Sequence, residues 1–117
     1  MINHQEVLFS IKQNNIEFEY QVSFNGCRNK KLLLFDFKIY TTSGFFLLEL
    51  DGEQHYVAMA NWGGEEGLRR MQKNDRIKEE YCKKNNIKLI RVPYWEFDNI
   101  EEILKRILES EGGYKIA

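Results

Sequence analysis

Apolar residues recur along this chain with two different periods, and the switches between them mark out successive elements. In NHQEVLFSIKQNN (3–15), Val7, Leu8 and Ile11 share one stripe at helical spacing, and Asn14-Asn15 end the run. IEFEYQVSF (16–24) changes to strict alternation, with Ile16, Phe18, Tyr20, Val22 and Phe24 set against polar neighbours, the mark of a half-buried strand. KLLLFDFKIY (31–40) and GFFLLELDG (44–52) read as two more strands joined around TTSG as a hairpin. GGEEGLRRMQKNDRIKEEYCKKNN (63–86) is a long helix whose closing Asn85-Asn86 suit a C-terminal cap. IKLIRVPYW (87–95) is continuously apolar, as expected of a strand buried on both faces. DNIEEILKRILES (98–110) is an amphipathic helix with the stripe Ile100, Ile103, Leu104, Ile107 and Leu108, and Asp98 stands where it would cap it.

The expected order is α-β-β-β-α-β-α, an α/β fold with a mixed central sheet flanked by helices. The helix between the third and fourth strands calls for a parallel pair with a right-handed crossover. No repeat, low-complexity tract or linker interrupts the chain, so 1–117 reads as a single domain.

The hairpin carries polar residues that the core pattern does not ask for. In its first strand the regular apolar set is Leu33, Phe35, Phe37 and Ile39; in its second it is Phe46, Leu48 and Leu50. If both sets share a face, Asp36, Glu49 and Asp51 gather on the other, with Asp36 opposite either Glu49 or Asp51. Directly opposed Cβ atoms stand about 5 Å apart. Carboxylates that close cannot all stay ionised without a cation between them, and oxygen donors suit magnesium or manganese. His55 follows within the same LLELDGEQHY stretch (47–56), either as a hydrogen-bonded surface residue or as a proton acceptor beside a metal. On the long helix, Asp75 falls on the inward arc with Leu68, Met71, Ile77, Tyr81 and Cys82. It has two possible partners: Lys78 three residues on, or His55, whose tautomer it would fix.

Composition narrows the class. With 43% apolar and 30% charged residues, the 117-residue chain is an ordinary globular protein with a hydrophobic core. No apolar run approaches the roughly 20 residues of a membrane span, and MINHQEVLF lacks a signal-peptide pattern, so a cytoplasmic location is expected. Cys27 and Cys82 are far apart and fit two reduced thiols; with His4 and His55 they could form a zinc site only without any recognisable ligand spacing. The net charge of −1 argues against coating nucleic acid by charge alone. Two runs are nevertheless basic: Arg28, Lys30 and Lys31, then Arg69, Arg70 and Lys73. They are either solvated faces or contacts to a phosphate backbone. Trp62, in a Gly-flanked loop, would either stack on bases or pack in the core.

Asp36, a hairpin, then ELDGEQH, NDRIKEEYC and IKLIRVPY in this order resemble the PD-(D/E)XK nuclease superfamily. Within it, the branch containing very-short-patch-repair endonucleases and phage-type homing endonucleases is the most similar, and the resemblance spans most of the chain. It implies a restriction-endonuclease-like fold and hydrolysis of DNA phosphodiester bonds with Mg2+ or Mn2+, in a bacterial or phage-infected cell. The resemblance makes Asp36 the central metal ligand, Glu49 the second acid and the Leu50 carbonyl the ligand between. His55 and Asp75 match the His and Asp of the branch's Glu-Asp-X-His-Asp pattern, with His55 as base, and Glu6 on the first helix is the candidate for its leading Glu. Asp51, Glu53 and Gln54 would extend or tune the site. Phe35 stands in place of the superfamily's loose proline. Asp51 stands in place of its catalytic lysine, which makes Lys78 a competing base. The chain has no separate DNA reader, so specificity would come from a homodimer, a DNA-targeting partner or a feature of the DNA. The alternative to an enzyme is a catalytically inactive nuclease-fold module for DNA binding or interaction.

Overall fold

A computed structural model describes residues 4–113. Three helices, α1 (His4–Gln13), α2 (Gly64–Lys84) and α3 (Ile100–Ser110), accompany six strands. These are β1 (Phe18–Val22), β2 (Arg28–Asn29), β3 (Lys31–Leu32), β4 (Phe35–Thr41), β5 (Gly44–Asp51) and β6 (Lys88–Pro93). The fold is α/β with a mixed four-stranded sheet in the order β1-β4-β5-β6. β1-β4 and β4-β5 pair antiparallel, while β5 and β6, connected through α2, run parallel as the helical crossover requires. A separate two-stranded ribbon, β2-β3, stands beside it.

β5 is central and buried on both sides, and its alternate residues feed two cores. On one face Phe46, Leu48 and Leu50 join Phe37, Ile39, Val7 and Ile11 of α1, and Ile100, Leu104 and Leu108 of α3. On the other, Leu47 packs with Phe35, Cys27 and Cys82, edged by Ile77 and Tyr81 of α2. The helical stripes read from the sequence are thus the faces that bury apolar area against the sheet. α2 ends as its asparagines suggest. Asn86 takes a left-handed φ of 55° and the Ile87 N–H donates to the Cys82 carbonyl at 2.8 Å, closing the orphan carbonyls of the last turn.

Four expectations need correction. KLLLFDFKIY is not one strand: Lys31 and Leu32 pair back onto Arg28 and Asn29, and β4 begins only at Phe35. Leu33 and Phe35 therefore pack on the α2 side, opposite Phe37 and Ile39. β1 makes the same change of face: Gln21 takes a φ of 55°, and Val22 and Phe24 beyond it join the α2-side core. β6 is not buried on both faces but forms an edge, with only Val92 fully buried. Asp98 does not cap α3, because the chain enters that helix through a 3-10 turn, Tyr94–Asn99, whose last residue precedes it.

Candidate active site

The pairing of β4 with β5 runs from Thr41↔Gly44 to Phe37↔Leu48, which sets the register in which Asp36 faces Glu49. Past this point the strands part, and the carboxylates take over backbone N–H groups that the ladder no longer holds. The Asp36 N–H donates to Glu49 Oε1 at 2.7 Å, and the Leu50 N–H donates to Asp36 Oδ2 at 2.7 Å. Buried amides must find an acceptor, so this exchange fixes both acids at the mouth of the fork. Burial, and then the charge of Glu49, push the Asp36 carboxyl up to about 6, against the Leu50 N–H, which favours the ionised form.

Glu49 is 3% exposed and its second oxygen accepts a hydrogen bond from Lys78 Nζ at 2.8 Å. Lys78 is itself only 9% exposed and lies 5.2 Å from the centre of the Phe35 ring. It is therefore the partner of Glu49 rather than of Asp75. Its place was open to inspection in the sequence, since Met71, Asp75, Lys78 and Cys82 fall on one helical stripe. The sequence offers it as a partner of Asp75 or a competing base; its pairing with Glu49 depends on the distant strand β5.

Asp75 turns to His55. Its Oδ2 lies 2.9 Å from His55 Nδ1, and Asp51 Oδ1 is 3.8 Å from the same nitrogen. Burial disfavours the imidazolium, but the Asp75 hydrogen bond and the charges of Asp51 and Asp75 outweigh it and raise the pKa of His55. Asp75 moves the opposite way: desolvation is overcome by the His55 bond and by Arg91, and its pKa is lowered.

Arg91 organises this half of the site, and the sequence reading passed over it. Glu49 and Arg91 are direct partners in the parallel β5-β6 register. The Arg91 guanidinium reaches Asp51 at 3.1 Å, Asp75 at 3.5 Å, Glu49 at 3.7 Å and Glu79 at 3.0 Å. Burial opposes its charge, yet these acids raise its pKa. The signal was a lone arginine in an apolar strand next to an acid-bearing one. Asp51, 2% exposed, is the partner of Arg91 and of the Tyr56 hydroxyl at 3.4 Å. Burial raises its pKa in spite of Arg91. The Tyr56 phenol is pushed up to about 12 by burial and by Asp51, and its ring leans on Trp95 at 4.9 Å.

His55 is not the sole imidazole near the acids. His4, in the opening turn of α1, holds Nε2 3.5 Å from Asp36 Oδ1 and Nδ1 2.7 Å from the Tyr20 hydroxyl. Glu6 stands on the exposed side of α1, and His4 is the residue that this helix turns to Asp36. Glu53 and Gln54 lie in the 3-10 turn before His55, Glu53 exposed and Gln54 folded back over Gly52. Trp62 is 53% exposed and so is not a core residue. Arg28, Lys30, Lys31, Arg69, Arg70 and Lys73 are all exposed. Their two segments are tied together by an Asn29 to Asn74 hydrogen bond of 2.8 Å.

Cys27 and Cys82 are free, buried in one core cluster, and pushed up by burial, Cys82 to about 11. With His4 at Asp36 and His55 at Asp75, the four do not assemble a zinc site. Among the described residues, no group of three or more His, Cys, Asp or Glu side chains is arranged to hold a metal ion. What the fork does offer is oxygen donors, the ligand type that hard cations take. Ionised carboxylates have roughly four lone-pair sites, and magnesium commonly takes only one or two carboxylates, filling its shell with water and substrate phosphate. Asp36, whose ionisation burial and Glu49 both oppose, is an oxygen donor that a cation would relieve.

No described helix is long and apolar enough to cross a membrane. No family model matches the chain, and no solved structure matches it. The chain is similar to an uncharacterized protein, 094L, of Frog virus 3 (isolate Goorha), with 41% identity over 63 residues. That match covers 52% of this chain and 40% of the viral protein.

Proposed function

We propose that this chain is a metal-dependent endonuclease that hydrolyses DNA phosphodiester bonds, built on a restriction-endonuclease-like fold of the PD-(D/E)XK kind. One observation carries the reading: where β4 and β5 part, Glu49 accepts from the Asp36 N–H and Asp36 from the Leu50 N–H, with Lys78 Nζ 2.8 Å from Glu49. Two acids and a buried lysine at a strand fork are costly for stability and useful for phosphoryl chemistry. Asp36, Glu49 and the Leu50 carbonyl would hold magnesium or manganese, which when bound supplies positive charge to the scissile phosphate.

The chain's own groups do the rest. His55, held in one orientation by Asp75, takes the proton of the attacking water. Arg91 keeps Asp51 and Asp75 in place and so sets the imidazole's position. Lys78 neutralises Glu49 and is the competing base. The exposed basic residues of 28–31 and 69–73 contact the DNA backbone without reading sequence, and exposed Trp62 stacks on a base.

The test is supercoiled plasmid incubated with purified protein in magnesium, manganese or chelator. Nicking or linearisation that chelator abolishes supports the enzyme. Binding without cleavage in either metal supports the inactive module instead.

A further inference from the structure

His4 has a neighbourhood that the proposed chemistry does not use. Its ring is seated edge-on against Phe37 and Tyr20, at centroid distances of 5.7 and 5.6 Å. Nδ1 is 2.7 Å from the Tyr20 hydroxyl, a short contact that fixes the ring. When Nδ1–H donates to that hydroxyl, Nε2 presents a lone pair to Asp36 Oδ1, 3.5 Å away. Two acceptors facing one another repel unless positive charge comes between them. The gap is longer than the usual N–H···O range of about 2.7–3.2 Å. Adjacent ligand atoms each bonded at about 2.1 Å to one octahedral ion stand about 3.0 Å apart, so the two atoms would close by about 0.5 Å to share one.

We propose that His4 Nε2 and Asp36 Oδ1 are adjacent ligands of the cation, making a mixed nitrogen–oxygen site that prefers manganese to magnesium. The preference follows from ligand type, because imidazole suits transition ions and magnesium holds to oxygen. Tyr20 is then the outer partner that fixes the tautomer, the arrangement metal-bound histidines almost always have. The proposal rests on the metallonuclease reading for why an ion is present, but its readout is binding and not cleavage.

The experiment uses the full chain stripped of metal. Manganese binding is followed by electron paramagnetic resonance, magnesium binding by competition, and nitrogen coupling to bound manganese by pulsed methods. In the parent, a nitrogen coupling is expected. His4→Gln should lose the coupling and weaken manganese binding at least tenfold, with magnesium affinity changed by less than about threefold. Tyr20→Phe should keep the coupling and weaken manganese binding about tenfold, the usual cost of an outer partner. His55→Gln should keep both. Manganese bound without nitrogen coupling in the parent, or with coupling that survives His4→Gln, overturns the role of His4 and leaves a carboxylate site standing. Failure of the parent to bind either ion overturns this inference and the metal-dependent reading together.

Discussion

The carboxyl of Asp36, pushed up to about 6 by burial and by Glu49, works against the fold whenever it is ionised. The folded state holds this proton more tightly than the unfolded chain, whose value is near 3.8. Stability should therefore fall as pH rises from about 4 to about 6 and level off above, by an amount on the order of 3 kcal/mol. Asp36→Asn removes that loss. In chelator it should be more stable than the parent at pH 8 and equal to it near pH 4, as urea denaturation would report, while plasmid cleavage disappears. A variant that cleaves like the parent takes Asp36 out of the site. His55 carries a pH dependence of its own. Its raised pKa delays the basic form, so activity should climb with pH through and beyond the ordinary histidine range. His55→Ala should cost roughly 10²–10⁴ in rate. Asp75→Asn should cost less, shift the pH profile downward, and add little to His55→Ala, because the two act as a unit. Lys78 is in direct contact with Glu49 and is the rival. If Lys78→Met abolishes cleavage while His55→Ala cleaves normally, the lysine is the base.

Among the elements, α2 supplies the partners that hold the site in place: Asp75 for His55, Lys78 for Glu49 and Glu79 for Arg91. Its length, inward arc and asparagine ending were legible in the sequence because they depend on local spacing and capping. The parts that were not legible depend on partners far away in sequence. Lys78 reads as a partner of Asp75 or a rival base until β5 places Glu49 against it, and Arg91 draws no notice until β6 is set beside β5. The edge position of β6 could not be read either, since apolar content is the same in a central strand and in an edge strand covered by a helix. The start of α2 offers a test of packing against propensity. Gly67 is buried in the helix, and a Cβ there would lie 1.7 Å from the Trp62 carbonyl oxygen. Intrinsic propensity favours Gly67→Ala by about 1 kcal/mol. The clash is with backbone, which cannot swing aside, so the substitution should instead destabilise by about 1–3 kcal/mol and displace the turn that carries Trp62. A melting temperature raised by Gly67→Ala would show that this turn does not sit on the helix.

For the molecule as a whole, a net charge of −1 conceals a segregated field. Asp36, Glu49, Asp51, Asp75 and Glu79 crowd around Lys78 and Arg91, while two basic segments bridged by Asn29 and Asn74 lie exposed. Alternation and parity were enough to expect acids at the end of this hairpin, since a strand has only two faces. They could not show how far the cations within the protein already balance those acids. That balance decides whether a divalent ion gains by binding there. If Lys78 and Arg91 fully compensated the fork, a divalent ion would gain nothing by entering it. Asp36 shows that they do not, because burial and the charge of Glu49 keep its pKa raised against the charge of Lys78. Manganese or magnesium should therefore bind the folded chain and not the unfolded one, where the same acids are dispersed. At a free concentration one hundred times the dissociation constant, such an ion stabilises by about 2.7 kcal/mol. For a chain of this size that corresponds to a melting temperature raised by about 10 °C. Thermal melts of metal-free protein, with and without the ion, should show the rise in the parent and none in Asp36→Asn. A parent whose melt is indifferent to both ions would leave the acids of the fork as a purely structural network held by Lys78 and Arg91.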